Sequence, residues 1–178
     1  MARALVVIDI QNDYFPGGRN ELVGADDAAA RAAEVLAGFR ERGEQVVHLQ
    51  HVWDAPDAEF FAPGTPGVEI NPAVAPAGDE AVVQKAFPNG FQHTDLEERL
   101  RAGDAEQLVL CGMMTSMCVD ATVRAAADLG FECTVVHDAC ATRDLSFEGQ
   151  PVAAADVHAA FLAALGDGYA ALTSASDV

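Results

Sequence analysis

The stretch Leu108–Gly130, LVLCGMMTSMCVDATVRAAADLG, leaves few folds open. Its unbroken apolar run, Leu108-Val109-Leu110-Cys111, has no polar alternation, which is the pattern of a buried strand. Gly112 breaks the run, and a turn of small and polar residues spans Met113 to Met117. Val119, Val123, Ala126 and Ala127 then fall on one helical face. A strand of this kind needs cover on both faces, so helices must flank the sheet it joins. Cys118 falls at the strand-to-helix junction, where free N–H groups and the helix dipole favour a nucleophilic thiolate. The competing reading of Cys118 is a small buried filler.

The same strand-then-helix alternation runs through the chain. Arg3–Ile10 contains the apolar run Leu5-Val6-Val7-Ile8 and ends in the carboxylate of Asp9. Asp26 is placed to cap a helix running to about Arg42, with Gly43 ending it. Gln45–His51 reads as the second strand and Val82–Lys85 as the third. Between them, Trp53–Pro76 carries five prolines and is too long for an ordinary connection, as lids and binding loops are. Its Trp53, Phe60 and Phe61 would line a pocket or pack on the sheet. Thr94 caps a predicted helix Asp95–Arg101, with Glu97 completing a capping box. Cys133–His137 is the fifth strand, Pro151 starts a last helix to about Leu165, and Tyr169–Thr173 is the sixth. Such alternation predicts an α/β domain over residues 1–178, with a parallel sheet and right-handed crossovers.

Composition narrows the partners. A net charge of −18 argues against nucleic acid and against an anionic membrane surface, and leaves a small-molecule substrate open. No run of 18 residues is continuously apolar, and the charged start is a poor signal peptide. Four cysteines without a CxxC pair read as reduced thiols of a cytoplasmic protein. Nine of the ten basic residues are Arg, and the one Lys, Lys85, sits at the end of an apolar strand-like run. A compact ammonium has chemical uses that a guanidinium cannot match, although a lysine snorkelling to water would read the same way. Asp9, Lys85 and the Cys118 turn all fall at carboxyl ends of predicted strands, the edge where open α/β sheets bind ligands. An acid, an amine and a thiol converging there would make a base, an electrostatic partner and a nucleophile.

Val6–Phe15 (VVIDIQNDYF), the strand ending in Lys85, Cys111–Thr122 (CGMMTSMCVDAT) and Asp138–Thr142 (DACAT) together resemble the isochorismatase-like cysteine hydrolases. That superfamily includes nicotinamidases, carbamoylsarcosine amidase and streptothricin hydrolase. The resemblance implies a three-layer α/β/α fold, with a doubly wound six-stranded parallel sheet of order 3-2-1-4-5-6. It implies a triad of Asp9, Lys85 and Cys118, and a cis peptide at Met113–Met114. The N–H groups of Met114 and Cys118 would form the oxyanion hole, and Gln11, Phe15, Trp53, Phe91 and Met113 would meet the substrate. It further implies hydrolysis of an amide, cyclic amide or imide, in a homo-oligomer of two or more chains. A vinyl-ether hydrolase and a non-catalytic scaffold are the alternatives. Ser116 stands where many relatives carry an acid, two residues before the cysteine. The histidine set of the metal-binding relatives is missing, so no metal or cofactor is expected; His48, His51 and His93 read as loop or strand-end residues. The last predicted helix offers Val152, Val157, Phe161 and Leu165 as a face for association.

Overall fold

In a computed structural model, which describes residues 2–178, the central strand β1 (Ala2–Ile8) is buried almost throughout. It pairs in parallel with β2 (Gln45–His51) on one side and β4 (Ala105–Met113) on the other. Strand β3 (Ala81–Lys85) extends the sheet beyond β2. Strand β5 (Glu132–Ala141) follows β4, and the last strand, β8 (Ala170–Thr173), closes the edge. The order is β3-β2-β1-β4-β5-β8, the predicted arrangement once a small hairpin is counted in the numbering.

Because side chains alternate along a strand, β1 feeds two cores. Leu5 and Val7 pack with the buried face of α1 (Ala25–Arg42), which includes Ala32, Val35, Leu36 and Phe39. Ala4, Val6 and Ile8 pack on the opposite layer. That layer contains Leu96 and Leu100 of α2 (Leu96–Ala102), Val123 and Ala126 of α3 (Asp120–Asp128), and Leu162 and Leu165 of α4 (Ala154–Gly168). Among the described residues no helix is long and apolar enough to cross a membrane.

Several predicted boundaries move, each for a local reason. Gly24, in the left-handed region, precedes α1, so Asp26 lies in the first turn and not at the cap. It still favours the helix through the dipole. Gly43 ends α1 as expected, its N–H bonding the carbonyls of Arg40 and Phe39. Thr94 Oγ1 accepts the Leu96 N–H, at 3.3 Å, but no side chain bonds back from Glu97. Pro151 does not begin α4. It belongs to a hairpin of β6 (Leu145–Phe147) and β7 (Gln150–Val152), and α4 starts at Ala154 with its N–H on Asp144. Glu148 and Gly149 at the hairpin tip both have positive φ, as a tight primed turn requires. The α4 face offered for association is largely interior: Val157 and Leu165 are buried in this chain.

At the amino end of the sheet, Glu80 ties α1 to the strands. Its carboxylate accepts two bonds from Arg40 at 2.7 and 2.8 Å, one from the Ala77 N–H and one from the buried His48. Arg40 above all holds the Glu80 carboxyl down at about 2, from an ordinary value near 4.5. A carboxyl with a lowered folded pKa stabilises fully above its unfolded value and loses that contribution as pH falls toward 2. Glu80→Gln is therefore expected to cost roughly 1–3 kcal/mol at pH 7. Urea melts at pH 7 and pH 3 check it: the gap between wild type and variant should shrink in acid, and an unchanged gap would contradict it.

Candidate active site

Asp9 is the residue after β1, fully buried, with a left-handed φ of 48° that a non-glycine residue adopts only when held there. Its N–H is held by the Leu49 carbonyl at 3.1 Å. Lys85 ends β3 directly opposite His51, the end of β2. The Lys85 ammonium lies 2.7 Å from Asp9 Oδ2, 3.0 Å from His51 Nδ1 and 3.1 Å from the Phe87 carbonyl. The contact with Asp9 is a close ion pair rather than a well-directed hydrogen bond, and Oδ1 of Asp9 has no hydrogen-bond partner among the described residues. Cys118 lies in a wide, π-type turn, Thr115–Val119, between β4 and α3. Its Sγ is 4.0 Å from His51 Nδ1, and donor atoms of Asp9, His51 and Cys118 all lie within 4.8 Å of one another. Gly112 makes this meeting possible: a Cβ there would stand 2.0 Å from the Ile8 carbonyl oxygen, just before Asp9.

Electrostatics set the resting protonation. Burial, and then the Asp9 charge, push the Cys118 thiol far up, and Lys85 offsets only part of this. The thiolate expected from a helix terminus is therefore not the resting form: Cys118 is buried within the turn, and α3 begins two residues later. Burial pulls the Lys85 ammonium down, but the adjacent Asp9 carboxylate works against it, and Lys85 ends raised. Burial, followed by the Lys85 charge, lowers His51 to about 4, so its ring is neutral. The lysine donates to Nδ1, which leaves Nε2 carrying the ring proton. Asp9, His51 and Cys118 could in principle surround a cation, but the Lys85 ammonium already stands against two of them as a fixed positive charge.

The structure brings Asp9, Lys85 and Cys118 together and adds His51, which the sequence reading left as a strand-end residue. Its signal was positional: β2 lies between β1 and β3, so its last residue must face both. The Met113–Met114 peptide is cis. Met113, Met114 and Phe15 are buried in the core shared with α1. Gln11 has no amide group free for substrate: its Nε2 donates to the His51 and Val68 carbonyls, and its Oε1 accepts the His51 N–H. It clamps the end of β2. Trp53 packs edge-on against Phe60, with ring centroids 5.3 Å apart, so the long loop is anchored by aromatic contacts. Phe91 stacks on Phe131 and packs against the layer that also holds Cys118. A cleft of about 280 Å³ reaches Lys85 between Val52, Asp54, Phe87 and His93. A larger one, of about 530 Å³, lies at Arg40 and Glu80, the amino end of the sheet, far from the thiol.

The isochorismatase-domain profile matches residues 3–177 of the chain. The chain is 49% identical over 170 residues to the isochorismatase family protein YddQ of Bacillus subtilis, covering 96% of this chain and 94% of that one. It is 38% identical over 143 residues to a streptothricin hydrolase of Streptomyces noursei, covering 80% of this chain and 51% of that protein. A crystal structure of an isochorismatase-type hydrolase from Oleispira antarctica superposes with a TM-score of 0.95 at 50% identity, over 99% and 95% of the two chains. N-carbamoylsarcosine amidase from Thermoplasma acidophilum superposes with a TM-score of 0.85 at 25% identity, over 100% and 99%.

The saturated ammonium gives a direct test. Arg is planar and larger and needs a fork of acceptors, which Asp9, His51 and the Phe87 carbonyl do not form. Lys85→Arg is expected to keep the charge yet lower kcat/KM on the order of 100-fold, by analogy with a lost transition-state donor. Steady-state kinetics with a thermal melt check this, and a folded variant near wild-type turnover would remove Lys85 from the chemistry.

Proposed function

The chain belongs to the isochorismatase family, and from that premise we propose that it is a cysteine-nucleophile hydrolase of a small-molecule amide, cyclic amide or imide. One observation carries the reading above all: a buried carboxylate with an unpartnered oxygen lies beside a neutral thiol, and a lysine holds its charge. Asp9 takes the thiol proton as Sγ attacks the substrate carbonyl, so a free thiolate need not accumulate. The ammonium of Lys85 stabilises the negative charge that passes from Asp9 to sulfur. Backbone N–H groups of Met114 and Cys118 receive the oxyanion of the tetrahedral intermediate. Collapse breaks the C–N bond, Asp9 returns the proton to the departing nitrogen, and a thioester remains. A water that gives its proton to Asp9 attacks the thioester carbonyl, and the proton returns to sulfur as the acid leaves.

The chemistry named by its relatives supports the amide class: one is an amidase, and another hydrolyses streptothricin. A vinyl-ether substrate would make no use of the thiol. Neither metal nor cofactor enters the scheme, since the lysine supplies the positive charge. The four free thiols suit a reducing cytoplasm. Turnover of a panel of amides, imides and vinyl ethers decides the class. Hydrolysis of an amide or imide should survive dialysis against a chelator and fall by roughly 10³-fold or more in Cys118→Ala. Vinyl-ether turnover indifferent to that substitution would sink the reading.

We also propose that the working form is a homo-oligomer, a dimer at least. Its support now comes from Met117 and Phe147, which are 47% and 72% exposed, rather than from α4. Light scattering at micromolar concentration should give at least twice the chain mass, and a monomer would refute it.

A further inference from the structure

The turn that carries Cys118 is held from behind by side chains that take no part in the chemistry above. Thr115 opens it, fully buried, with Oγ1 2.9 Å from Nδ1 of His158 on α4. Either the hydroxyl donates to Nδ1 or a protonated Nδ1 donates to the hydroxyl, and a side-chain amide placed at Nδ1 can serve in either sense. Burial, and then His137, hold His158 below its ordinary value, which keeps the ring neutral. One residue along, Ser116 Oγ lies 2.9 Å from Thr142 Oγ1.

Within the turn, the N–H groups of Met117 and Val119 both bond the Met114 carbonyl, at 3.0 and 3.2 Å. Those bonds fix the shape of the turn but not its orientation against the sheet. Val119 is anchored in the core next to α3, so the far end is held by packing. The near end continues from Met113 of β4, which is paired with β5, and the side-chain tethers at Thr115 and Ser116 hold the path of the turn from there.

We propose that His158 is a positioning residue for the reaction at Cys118, acting through Thr115 to fix the orientation of the nucleophile turn. The proposal rests on the cysteine-hydrolase reading. A rotation at Thr115 moves the Cys118 Sγ and its backbone N–H together, away from Asp9 and from a bound carbonyl. Attack tolerates little of this, since a displacement of about 1 Å costs on the order of 100-fold.

The test uses the two amides that split the functions of the imidazole. Asn presents its amide near the Nδ1 position and keeps a partner for Thr115, whereas Gln carries its amide to the Nε2 position and leaves Thr115 without one. For His158→Asn, kcat should stay within about threefold of wild type. His158→Gln, His158→Leu and Thr115→Val should each lose roughly 10- to 100-fold in kcat with KM little changed. The double variant Thr115→Val/His158→Leu should lose no more than the worse single, because both remove one bond. The iodoacetamide alkylation rate of Cys118, read by peptide mapping, should follow the same order. Equal kcat and alkylation rates in His158→Asn, His158→Gln and wild type would overturn the proposal, as would losses that merely track the thermal melts. Should wild type hydrolyse no member of the substrate panel, the hydrolase reading fails, while the alkylation series still judges His158.

Discussion

Two opposite charges, on Asp9 and Lys85, are buried at 2.7 Å in the interior of this protein. Taking each from water costs several kcal/mol, and their attraction offsets this only if the partner is fixed in place. The sheet supplies that fixity. Asp9 follows β1, Lys85 ends β3, and β2 runs between them, so all three strand ends face one another at the carboxyl edge. Losing either residue would leave an unpaired charge in the core. The pairing therefore ties the strand order to the chemistry.

The rest of the cluster follows from that pair. His51 ends the intervening strand with its Nδ1 lone pair directed at the lysine, and burial, then the lysine charge, keeps its ring neutral. Cys118 faces the carboxylate from the other side, and burial, then the charge of Asp9, disfavours its thiolate. The resting site thus holds one negative charge, one positive charge, a neutral thiol and a neutral imidazole. In this arrangement the thiol is activated by a neighbouring base during attack, and not by a standing low pKa. The approach of β4 to β1 that permits it depends on Gly112, whose φ of 134° and lack of a side chain let the two backbones touch.

Function and stability occupy opposite ends of the same strands. At the carboxyl edge, Asp9 has an oxygen without a partner and a backbone in the left-handed region, both of which cost stability. At the amino edge, Glu80 is bonded on every side and joins the last turn of α1 to β2 and β3. The Trp53–Pro76 segment bridges the two roles. Asp13 accepts the Phe61 N–H at 2.7 Å, and the bonds of Gln11 then hold the loop against the end of β2 beside His51.

The amino-acid sequence by itself determined the layer architecture, because unbroken apolar runs at Leu5–Ile8 and Leu108–Cys111 can be buried only in a sheet covered on both faces. It also marked Asp9, Lys85 and Cys118, since residues that interrupt an apolar pattern at a strand end are visible without coordinates. Whatever depends on contacts between distant segments was not legible. His51 looked like any strand-end histidine until the β2–β3 register set it against Lys85. Gln11 looked like a substrate ligand until folding spent its amide on the backbone of His51 and Val68. The hairpin at Glu148-Gly149 carried a glycine but no Asn or Asp before it, and Pro151 was read as a helix start. Only the tertiary structure decided the charge of Cys118, because a thiol's protonation depends on burial and on which charges reach it, and both are properties of the assembled fold.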